Sequence, residues 1–517
     1  MDNRRGRAVT GVLALAGGMF AVLQAVVVPA LPDIGRGLHV SSSASTWILT
    51  INLLATAVLT PVVGRMGDIY GKNRMLWVVL ASLGAGTLIC ALAPSLSAML
   101  VGRVVQGAGG AVFPLAFGVL RDELDGERVA GAIGLVSSLL GVGAGLGLVI
   151  AGPITGALGW RWLFWLPLAV LVPIGVAVFR CVPRSPVRTP APLDLVSGAL
   201  MIAGLACPLV AVSEASAWGL SSPRTLGLLG VGVVLVAAWV RHELGSPSPL
   251  VDMRMMAQRG VWTTNMAAFL LGIGMYASIA LVPALVELPR SSGVGLGGSV
   301  TAAGVFMLPT AAPQLIVGPL MGRITSWIGS RAQVVAGITL MLLAYLALAV
   351  AHRHPWELVA ATTALGLGLG FGLGALANLI VGAVEPRQTG VATAMNTVMR
   401  TLGGAFGAAI SAACLAGGAP LDSRFKLAFG FCAGALAFGL CAAVAIPGER
   451  RAHRVAGKSP GPVLDAGRAE GAGDLSPVAA ETARRDDGPS VLFKEPAFEM
   501  LASCWGWAAT VPVRWAG

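Results

Sequence analysis

Residues 61–74 read PVVGRMGDIYGKNR and place three glycines, one acid and three cations between two long apolar runs. Glycine permits sharp turns and the close approach of two helix ends. The single acid, Asp68, can cap a helix N-terminus or pair with a nearby cation. An ordinary charged connection between two helices would explain the composition but not the spacing. The pattern G-x-x-x-D-x-x-G-[RK]-x-[RK] is met by Gly64, Asp68, Gly71, Lys72 and Arg74.

The composition of the whole chain points to a lipid environment. Of its 517 residues, 56% are hydrophobic and 11% are charged, whereas soluble proteins carry about 25% charged residues. Apolar runs of about twenty residues recur, and each is long enough to cross the ~30 Å hydrocarbon core of a bilayer as a helix. The chain is therefore predicted to be an all-α, multi-pass integral membrane protein.

Apolar windows between charged or Pro/Gly-rich breaks predict fourteen transmembrane helices. The first window is longer than the apolar part of a signal peptide, and no A-x-A cleavage site follows it, so we interpret it as a span. The approximate spans are 8–30, 44–64, 75–93, 98–120, 130–152, 162–179, 194–213, 225–240, 261–284, 300–321, 332–350, 357–383, 390–415 and 426–446.

The distribution of lysine and arginine predicts the orientation. With the N-terminus inside, 20 of these cations lie in cytoplasmic segments and 7 in outer loops. Cytoplasmic loops of membrane proteins carry the excess of positive charge. We therefore expect both termini to be cytoplasmic and the protein to lie in the cell (plasma) membrane.

Several other classes of function are disfavoured. The seven cysteines show neither C-x-x-C nor Cys/His ligand spacing, so no metal site or disulfide framework is indicated. The formal net charge of +11 is scattered, with no basic helix or aromatic platform for nucleic acid. Residues 452–459, AHRVAGKS, nearly match a P-loop, but Ala452 replaces the first glycine and no strand precedes it. No cofactor and no enzyme activity are predicted, and residues 450–517 are expected to form a mostly disordered tail.

The opening motif has a degenerate copy 258 residues later, in PLMGRITSWIGSR (Pro319–Arg331). Pro61, Gly64, Arg65 and Gly71 correspond to Pro319, Gly322, Arg323 and Gly329, whereas Asp68 corresponds to Ser326. A second pair, ERVAGAIG (Glu127–Gly134) and PRQTGVAT (Pro386–Thr393), has an offset of 259. The two halves are therefore predicted to be internal repeats. Residues shared by both copies are expected to form the turn. Asp68 occurs only in the first copy, so we expect it to have a functional role.

The motif, placed after the second span, resembles the signature loop of the major facilitator superfamily. Eight spans rather than six separate the two copies, which is similar to the fourteen-helix drug:proton antiporter (multidrug efflux) branch. The resemblance covers about residues 8–447 and implies a cytoplasmic gate loop made of Gly64, Arg65, Asp68, Gly71, Lys72 and Arg74. It also implies an N-terminal six-helix bundle (1–182), two inserted transmembrane helices (183–259), a C-terminal six-helix bundle (260–449) and the cytoplasmic tail (450–517).

Polar residues inside the spans are candidates for a central path. Arg103 and Gln106 share one helical face in span four, and R-x-x-Q-G-x-G-G resembles the family's fourth-helix motif, whose arginine is implicated in proton transfer and binding. Arg103 could instead snorkel to the outer surface. Arg400 lies roughly 16 Å along span thirteen, near the bilayer midplane, where an ionisable residue suggests function. The predicted substrate or proton path comprises Gln24, Asn52, Arg103, Gln106, Asn265, Gln314, Asn378, Asn396 and Arg400.

Span five contains a second candidate motif, G-P-x-x-G, at Gly152, Pro153 and Gly156. It resembles in part the antiporter motif of exporters, although Leu148 stands where a further glycine is expected. We expect these glycines to permit close helix approach and Pro153 to bend the helix near its outer end. Generic glycine-rich packing is the alternative.

No aspartate or glutamate lies in the middle of a predicted span, and all five histidines lie outside the spans. Proton coupling requires a group whose charge changes during the cycle. The acids that remain near the path are Asp33 and Glu214 at outer helix ends and Asp68 at the gate. The proton-carrying residue is therefore left open, and a preference for dicationic drugs is weakened.

The leading hypothesis is a secondary transporter in the lipid bilayer that exports lipophilic small molecules by alternating access, with protons as the coupling ion. The first alternative is an importer or uniporter of a polar or anionic metabolite, which Arg103 and Arg400 would bind. A more remote alternative is a non-transporting membrane receptor or scaffold.

Overall fold

The computed structural model describes residues 3–124, 127–183, 194–219, 221–416 and 420–447. All regular secondary structure within these ranges is helical. Thirteen of the described helical segments are long and apolar enough to cross a membrane. The tail predicted at 450–517 lies outside the described residues.

The first half of the chain consists of eight α-helices, which the predicted boundaries approximate. They are α1 (Asn3–Ala25), α2 (Val27–Gly37), α3 (Ser42–Tyr70), α4 (Lys72–Leu92), α5 (Leu96–Gly107), α6 (Val112–Glu123), α7 (Glu127–Leu158) and α8 (Trp162–Cys181). A single 3-10 turn, Ala108–Ala111, joins α5 to α6, so these two helices together form one predicted span.

The inserted helices and the second half follow. The insertion comprises α9 (Leu195–Ser213), the short α10 (Ala215–Trp218), α11 (Pro223–Gly245) and the short α12 (Met253–Met256). The second half comprises α13 (Arg259–Glu287), α14 (Val300–Val350), α15 (Pro355–Ala383), α16 (Thr389–Ala416) and α17 (Leu421–Ala445).

The helix α14 covers two predicted spans. It has 51 residues, and its backbone leaves the helical region at Gly329, where φ is 77° and ψ is 156°. A straight helix of that length would be roughly 75 Å long, more than twice the hydrocarbon thickness of a bilayer. The break at Gly329 therefore divides α14 into two segments.

The opening motif is mostly helical, which corrects the predicted loop between residues 64 and 75. The helix α3 continues to Tyr70, and α4 begins at Lys72. Only Gly71 interrupts them, with φ of 102° and ψ of 128°. A side chain at this backbone conformation would be strained, so one glycine makes the whole turn. Gly329, its predicted counterpart in the second copy, also has a positive φ.

Glycines on two faces of α7 bring it into close contact with both halves. Gly143 and Gly147 face α1, whereas Gly141 and Gly145 face α14. A Cβ atom added at Gly143 would lie 2.4 Å from the backbone oxygen of Gly18. Since a backbone oxygen cannot rotate away, only glycine fits there. The helix α7 is thus a close-packed link between α1 and α14.

The predicted G-P-x-x-G motif lies beyond this close contact. A Cβ atom added at Gly152 would be 3.3 Å from Thr301 Oγ1, and one added at Gly156 would have no neighbour within 4 Å. Pro153 is exposed, and α7 continues to Leu158. The expectation of close helix approach at Gly156 is therefore wrong, because no other part of the described chain lies within 4 Å of a Cβ atom at that position.

Two glycine-to-alanine changes in α7 should separate packing from helix propensity. Gly143→Ala should lower the melting temperature of the detergent-purified protein, because overpacking costs about 1–3 kcal/mol. Gly156→Ala should leave it unchanged or raise it, since alanine favours a helix by about 1 kcal/mol over glycine. Scanning fluorimetry measures both. Equal shifts for the two variants would contradict the packing role of Gly143.

Candidate functional site

A central cavity of about 170 Å³ lies between helices of the first and second halves. Helices α1, α3 and α7 from the first half and α13 and α16 from the second form most of its wall. Four residues of the predicted path line it: Gln24, Asn52, Arg103 and Arg400. Most of the remaining wall is apolar or aromatic, for example Phe20, Leu49, Leu53, Phe113 and Met275.

The side chain of Arg103 is held by protein groups on two helices. It is 1% exposed, and its Nε donates to the Ile48 carbonyl oxygen at 3.1 Å. Its Nη1 donates to Gln106 Oε1 at 2.8 Å, and Gln106 Nε2 donates in turn to Thr87 Oγ1 at 2.8 Å. Asn52 Nδ2 donates to the Arg103 carbonyl oxygen at 2.9 Å. The alternative that Arg103 snorkels to the surface is wrong, because these bonds hold it inside.

Arg400 differs from Arg103 because its guanidinium group has no such partners among the described residues. It lies on α16 and lines the cavity, and its Nε is buried without a hydrogen-bond partner. A Cβ atom at Gly272 of α13 would lie 2.1 Å from the Arg400 carbonyl oxygen, so the backbone at Arg400 is packed tightly against α13. The residue therefore combines a tightly packed backbone with a guanidinium Nε that has no hydrogen-bond partner.

The other five predicted path residues do not line the cavity, and their place on a substrate or proton path stays a prediction. Each is engaged in a hydrogen bond, because a polar group among apolar helices needs a partner. Gln106 bonds as described above. The remaining bonds are Asn396 Nδ2 to Asn265 Oδ1 at 2.9 Å, Gln314 Nε2 to the Thr310 carbonyl oxygen at 2.8 Å, and Asn378 Nδ2 to the Ala130 carbonyl oxygen at 3.3 Å.

A second cluster of polar contacts joins the two halves at the opening motif. Asp68 is 1% exposed, and its carboxylate accepts hydrogen bonds from the backbone N–H groups of Gly390 at 3.2 Å and Val391 at 3.1 Å. Both groups belong to the first turn of α16. A carboxylate is stabilised there by the unpaired N–H groups and the positive end of the helix dipole. Asp68 thus caps a helix of the opposite half.

Two glycines allow Asp68 to reach α16. A Cβ atom at Gly64 would lie 2.8 Å from the Gly390 carbonyl oxygen, and one at Gly390 would lie 2.7 Å from the Gly64 carbonyl oxygen. The expectation that Gly64 serves the turn is therefore wrong. Gly71 alone makes the turn, and Gly64 serves the contact between α3 and α16.

Cations flank the Asp68 contact. Lys72 is fully buried, and its Nζ lies 2.8 Å from Asp122 Oδ2 and 3.4 Å from the Pro386 carbonyl oxygen. Arg121 Nη1 donates to Thr389 Oγ1 at 2.7 Å, and Nη2 donates to the Val384 carbonyl oxygen at 2.8 Å. We use the term gate cluster for Asp68, Lys72, Arg121 and Asp122 with their partners on residues 384–391.

Sequence reasoning missed part of the gate cluster and included residues outside it. The gate cluster also contains Arg121 and Asp122, which follow span four. They belong to a charged run, RDELDGER (121–128), and this run was the sequence signal that could have identified them. Arg65 is half-buried and Arg74 is exposed, and neither takes part in the hydrogen bonds to α16. Spacing within the motif cannot reveal which charges face the other half.

The same two helices carry both the gate cluster and the cavity. On α3, Thr56 lines the cavity and Asp68 lies twelve residues further on, which is about 18 Å along the helix. On α16, Gly390 and Arg400 are separated by ten residues, or about 15 Å. A relative movement of α3 and α16 would therefore change the gate cluster and the cavity together.

The inserted helices contact these same two elements. Thr50 of α3 and Ser213 of α9 share a hydrogen bond of 2.9 Å. Asp252, which caps α12, accepts a hydrogen bond from Gln388 Nε2 at 3.2 Å, directly before α16. The insertion is thus packed against α3 at one end and against the start of α16 at the other.

Comparison with known sequences identifies the family. A family model described as Major Facilitator Superfamily matches residues 13–308 and 264–513. The chain is 27% identical over 412 residues to the multidrug resistance protein B homolog of Mycobacterium tuberculosis (strain CDC 1551 / Oshkosh), covering 78% of this chain and 75% of that protein. It is 25% identical over 413 residues to the multidrug transporter protein MdtP of Bacillus subtilis (strain 168), covering 78% and 74%. It is 28% identical over 345 residues to the tetracenomycin C resistance and export protein of Streptomyces glaucescens, covering 65% and 62%.

Solved structures show the same fold. The human organic anion transporter MFSD10 (TETRAN) superposes with a TM-score of 0.61 at 15% identity, covering 85% of this chain and 99% of that one. The proton:xylose symporter XylE superposes with a TM-score of 0.60 at 13% identity, covering 87% and 97%. With the family match over most of its length, this chain belongs to the Major Facilitator Superfamily and is a multi-pass membrane transporter of small molecules, not an enzyme.

Proposed function

We propose that this transporter exports lipophilic small molecules, such as drugs or antibiotics, across the plasma membrane. The observation that carries the proposal is the apolar and aromatic cavity between the two halves, which contains only a few polar groups. Such a lining suits a lipophilic ligand, and the polar groups orient it. Relatives named for multidrug resistance or export, which cover most of this chain, support the same function.

The proposed architecture has fourteen transmembrane helices. Counting α14 as two spans around Gly329 adds one to the thirteen apolar segments. Residues 1–182 and 260–449 would each form a six-helix bundle, with two inserted helices within 183–259 and both termini in the cytoplasm. The positive charge excess predicts that the gate cluster faces the cytoplasm.

Reciprocal contacts between the halves support the proposed repeats. Gly64 of the first motif packs against Gly390, and a Cβ atom at Gly131 would lie 3.5 Å from Gly322 Cα. Gly64 and Gly322 are 258 residues apart, and Gly131 and Gly390 are 259 apart. Each half therefore presents the same pair of segments to the other.

The proposed mechanism is alternating access. The gate cluster holds α3 against α16, and with the orientation proposed above this would be the closed cytoplasmic end. Opening this end would separate the Asp68 carboxylate from the first turn of α16. The two helices would carry that movement to the cavity, since each contributes residues to both regions.

Proton antiport is the coupling that the family resemblance implies. Among the residues that the structure describes, no Asp, Glu or His lines the central cavity, so the proton-binding residue would lie elsewhere on the path. Asp68 is the acid whose protonation would have a mechanical effect. A neutral carboxyl group would no longer attract the positive end of α16, and proton binding would thereby favour opening of the gate.

Import of a polar metabolite is the second candidate. The unpaired Arg400 favours an anionic group on the ligand, but the mainly apolar wall disfavours a wholly polar ligand. Uptake of radiolabelled metabolites into intact cells would separate import from export.

The export function predicts movement of lipophilic compounds by the purified protein. Reconstituted into liposomes with an imposed pH gradient, the protein should transport members of a broad panel of dyes and antibiotics, and an uncoupler should reduce that transport. Fluorescence quenching or radiolabel release measures the rates. Empty liposomes are the control, and no transport across the panel would overturn the proposal.

Asp68 should be essential for transport while its counterpart is not. Asp68→Asn removes the charge at the start of α16 but keeps the size of the side chain, at a cost of about 1–2 kcal/mol in the closed gate. We expect at least a tenfold lower transport rate. The protein should remain folded, as measured by a monodisperse size-exclusion profile.

The matched control for Asp68 is Ser326→Ala at the corresponding position of the second copy. Among the described residues, Ser326 Oγ donates to the Arg323 carbonyl oxygen within its own helix and makes no bond to the other half, so this variant should retain nearly full activity. Equal losses for the two variants would contradict the asymmetry of the repeats.

A further inference from the structure

The central cavity contains a cation that the protein leaves without a counterion. The Nε of Arg400 is buried without a partner, and within the described residues no hydrogen bond or ion pair involves its guanidinium group. Arginine stays protonated under all physiological conditions. A charged group inside a membrane protein with no ionic partner is energetically costly, and an anionic ligand would supply that partner.

The second arginine of the cavity does not have this property. Two of the three guanidinium nitrogens of Arg103 donate hydrogen bonds, to the Ile48 carbonyl oxygen and to Gln106 Oε1. These bonds join α5 to α3 and leave the group 1% exposed. Arg103 is therefore a positioning residue that contributes charge, whereas Arg400 is available to a ligand.

No acid in the described part of the wall compensates these two charges. The lining residues from all contributing helices include no Asp or Glu, and the remaining polar groups are neutral amides and hydroxyls, namely Gln24, Asn52, Thr56, Tyr276, Thr397 and Thr401. Asp68 on α3 is about 18 Å away along the helix and is bound to α16. The cavity thus carries fixed positive charge, which attracts anions and repels cations.

We propose that the transported molecule is a lipophilic anion and that Arg400 selects its charge. A carboxylate, phenolate or sulfonate group would bind the guanidinium through charge-assisted hydrogen bonds. The hydrocarbon body would lie against the apolar wall around Phe20, Leu53, Phe113 and Met275. The proposal rests on the export function stated above and adds the substrate class.

Paired probes with one ring system and different charge test the proposal on the wild-type protein. Fluorescein is anionic and rhodamine 123 is a cationic xanthene of similar size, and the methyl ester of fluorescein removes its carboxylate charge. Binding is measured by quenching of tryptophan fluorescence in detergent, and transport in liposomes. We expect fluorescein to bind at least tenfold more tightly than rhodamine 123.

Variants at Arg400 separate charge selection from a structural role. Arg400→Gln should weaken fluorescein binding at least tenfold and reduce the preference over rhodamine 123, whereas Arg400→Lys should retain most of the preference. Arg224→Gln removes one exposed positive charge on α11 and is the matched control, expected to change neither. Size-exclusion profiles report folding. If Arg400→Gln does not fold, the Arg400→Lys variant and the comparison of probes on the wild-type protein decide whether the positive charge selects the ligand.

The outcomes distinguish this inference from the export function. Transport of rhodamine 123 without binding of fluorescein would overturn the substrate class and leave export intact. Binding of fluorescein that depends on Arg400, without transport of any probe, would support the anion site and overturn export. An equal loss of all three probes in Arg400→Gln would overturn charge selection, because a structural defect does not discriminate by charge.

Discussion

The contact between the Asp68 carboxylate and the first turn of α16 is the constraint on which the rest of the arrangement depends. It joins residues 322 positions apart in the chain, and it places a negative charge where the unpaired N–H groups of a helix are most positive. Gly64 and Gly390 make the contact possible, since a side chain at either position would meet the backbone of the other helix. The flanking Lys72–Asp122 pair and Arg121 add further bonds from the first half to residues 384–389.

This contact has consequences for the cavity because α3 and α16 are continuous helices. Each extends from the gate cluster to the central cavity, where α3 contributes Asn52 and α16 contributes Arg400 to the wall. The inserted helices contact the same two elements through Thr50–Ser213 and Asp252–Gln388. Because the insertion contacts both helices, a movement of α3 relative to α16 would also change its contacts.

Polar residues within the spans fall into two groups that differ in their partners. Most of them satisfy one another or a backbone carbonyl group, as Asn396 does with Asn265 and Arg103 with Ile48 and Gln106. This is expected where no water is available to replace a missing bond. Arg400 is the exception among the cavity arginines, and its unpaired Nε gives the otherwise apolar cavity a chemical preference.

Much of the fold could be predicted from the sequence, because helix length and apolar character follow directly from local composition. The sequence also allowed three further predictions: the turn at Gly71, the break at Gly329 and the superfamily itself. Motif spacing and the position of single glycines are enough to predict them. The candidate site was only partly accessible: four of nine path residues line the cavity, and Arg121 and Asp122 were missed. Helical periodicity predicts which face a residue occupies, but the neighbouring helix decides whether Gly64 serves a turn or a contact, and whether Arg103 or Arg400 remains free. Most of those partners lie on other helices, 55 residues away for Ile48 with Arg103 and more than 300 residues away for Gly390 with Gly64, so only the tertiary structure could determine them.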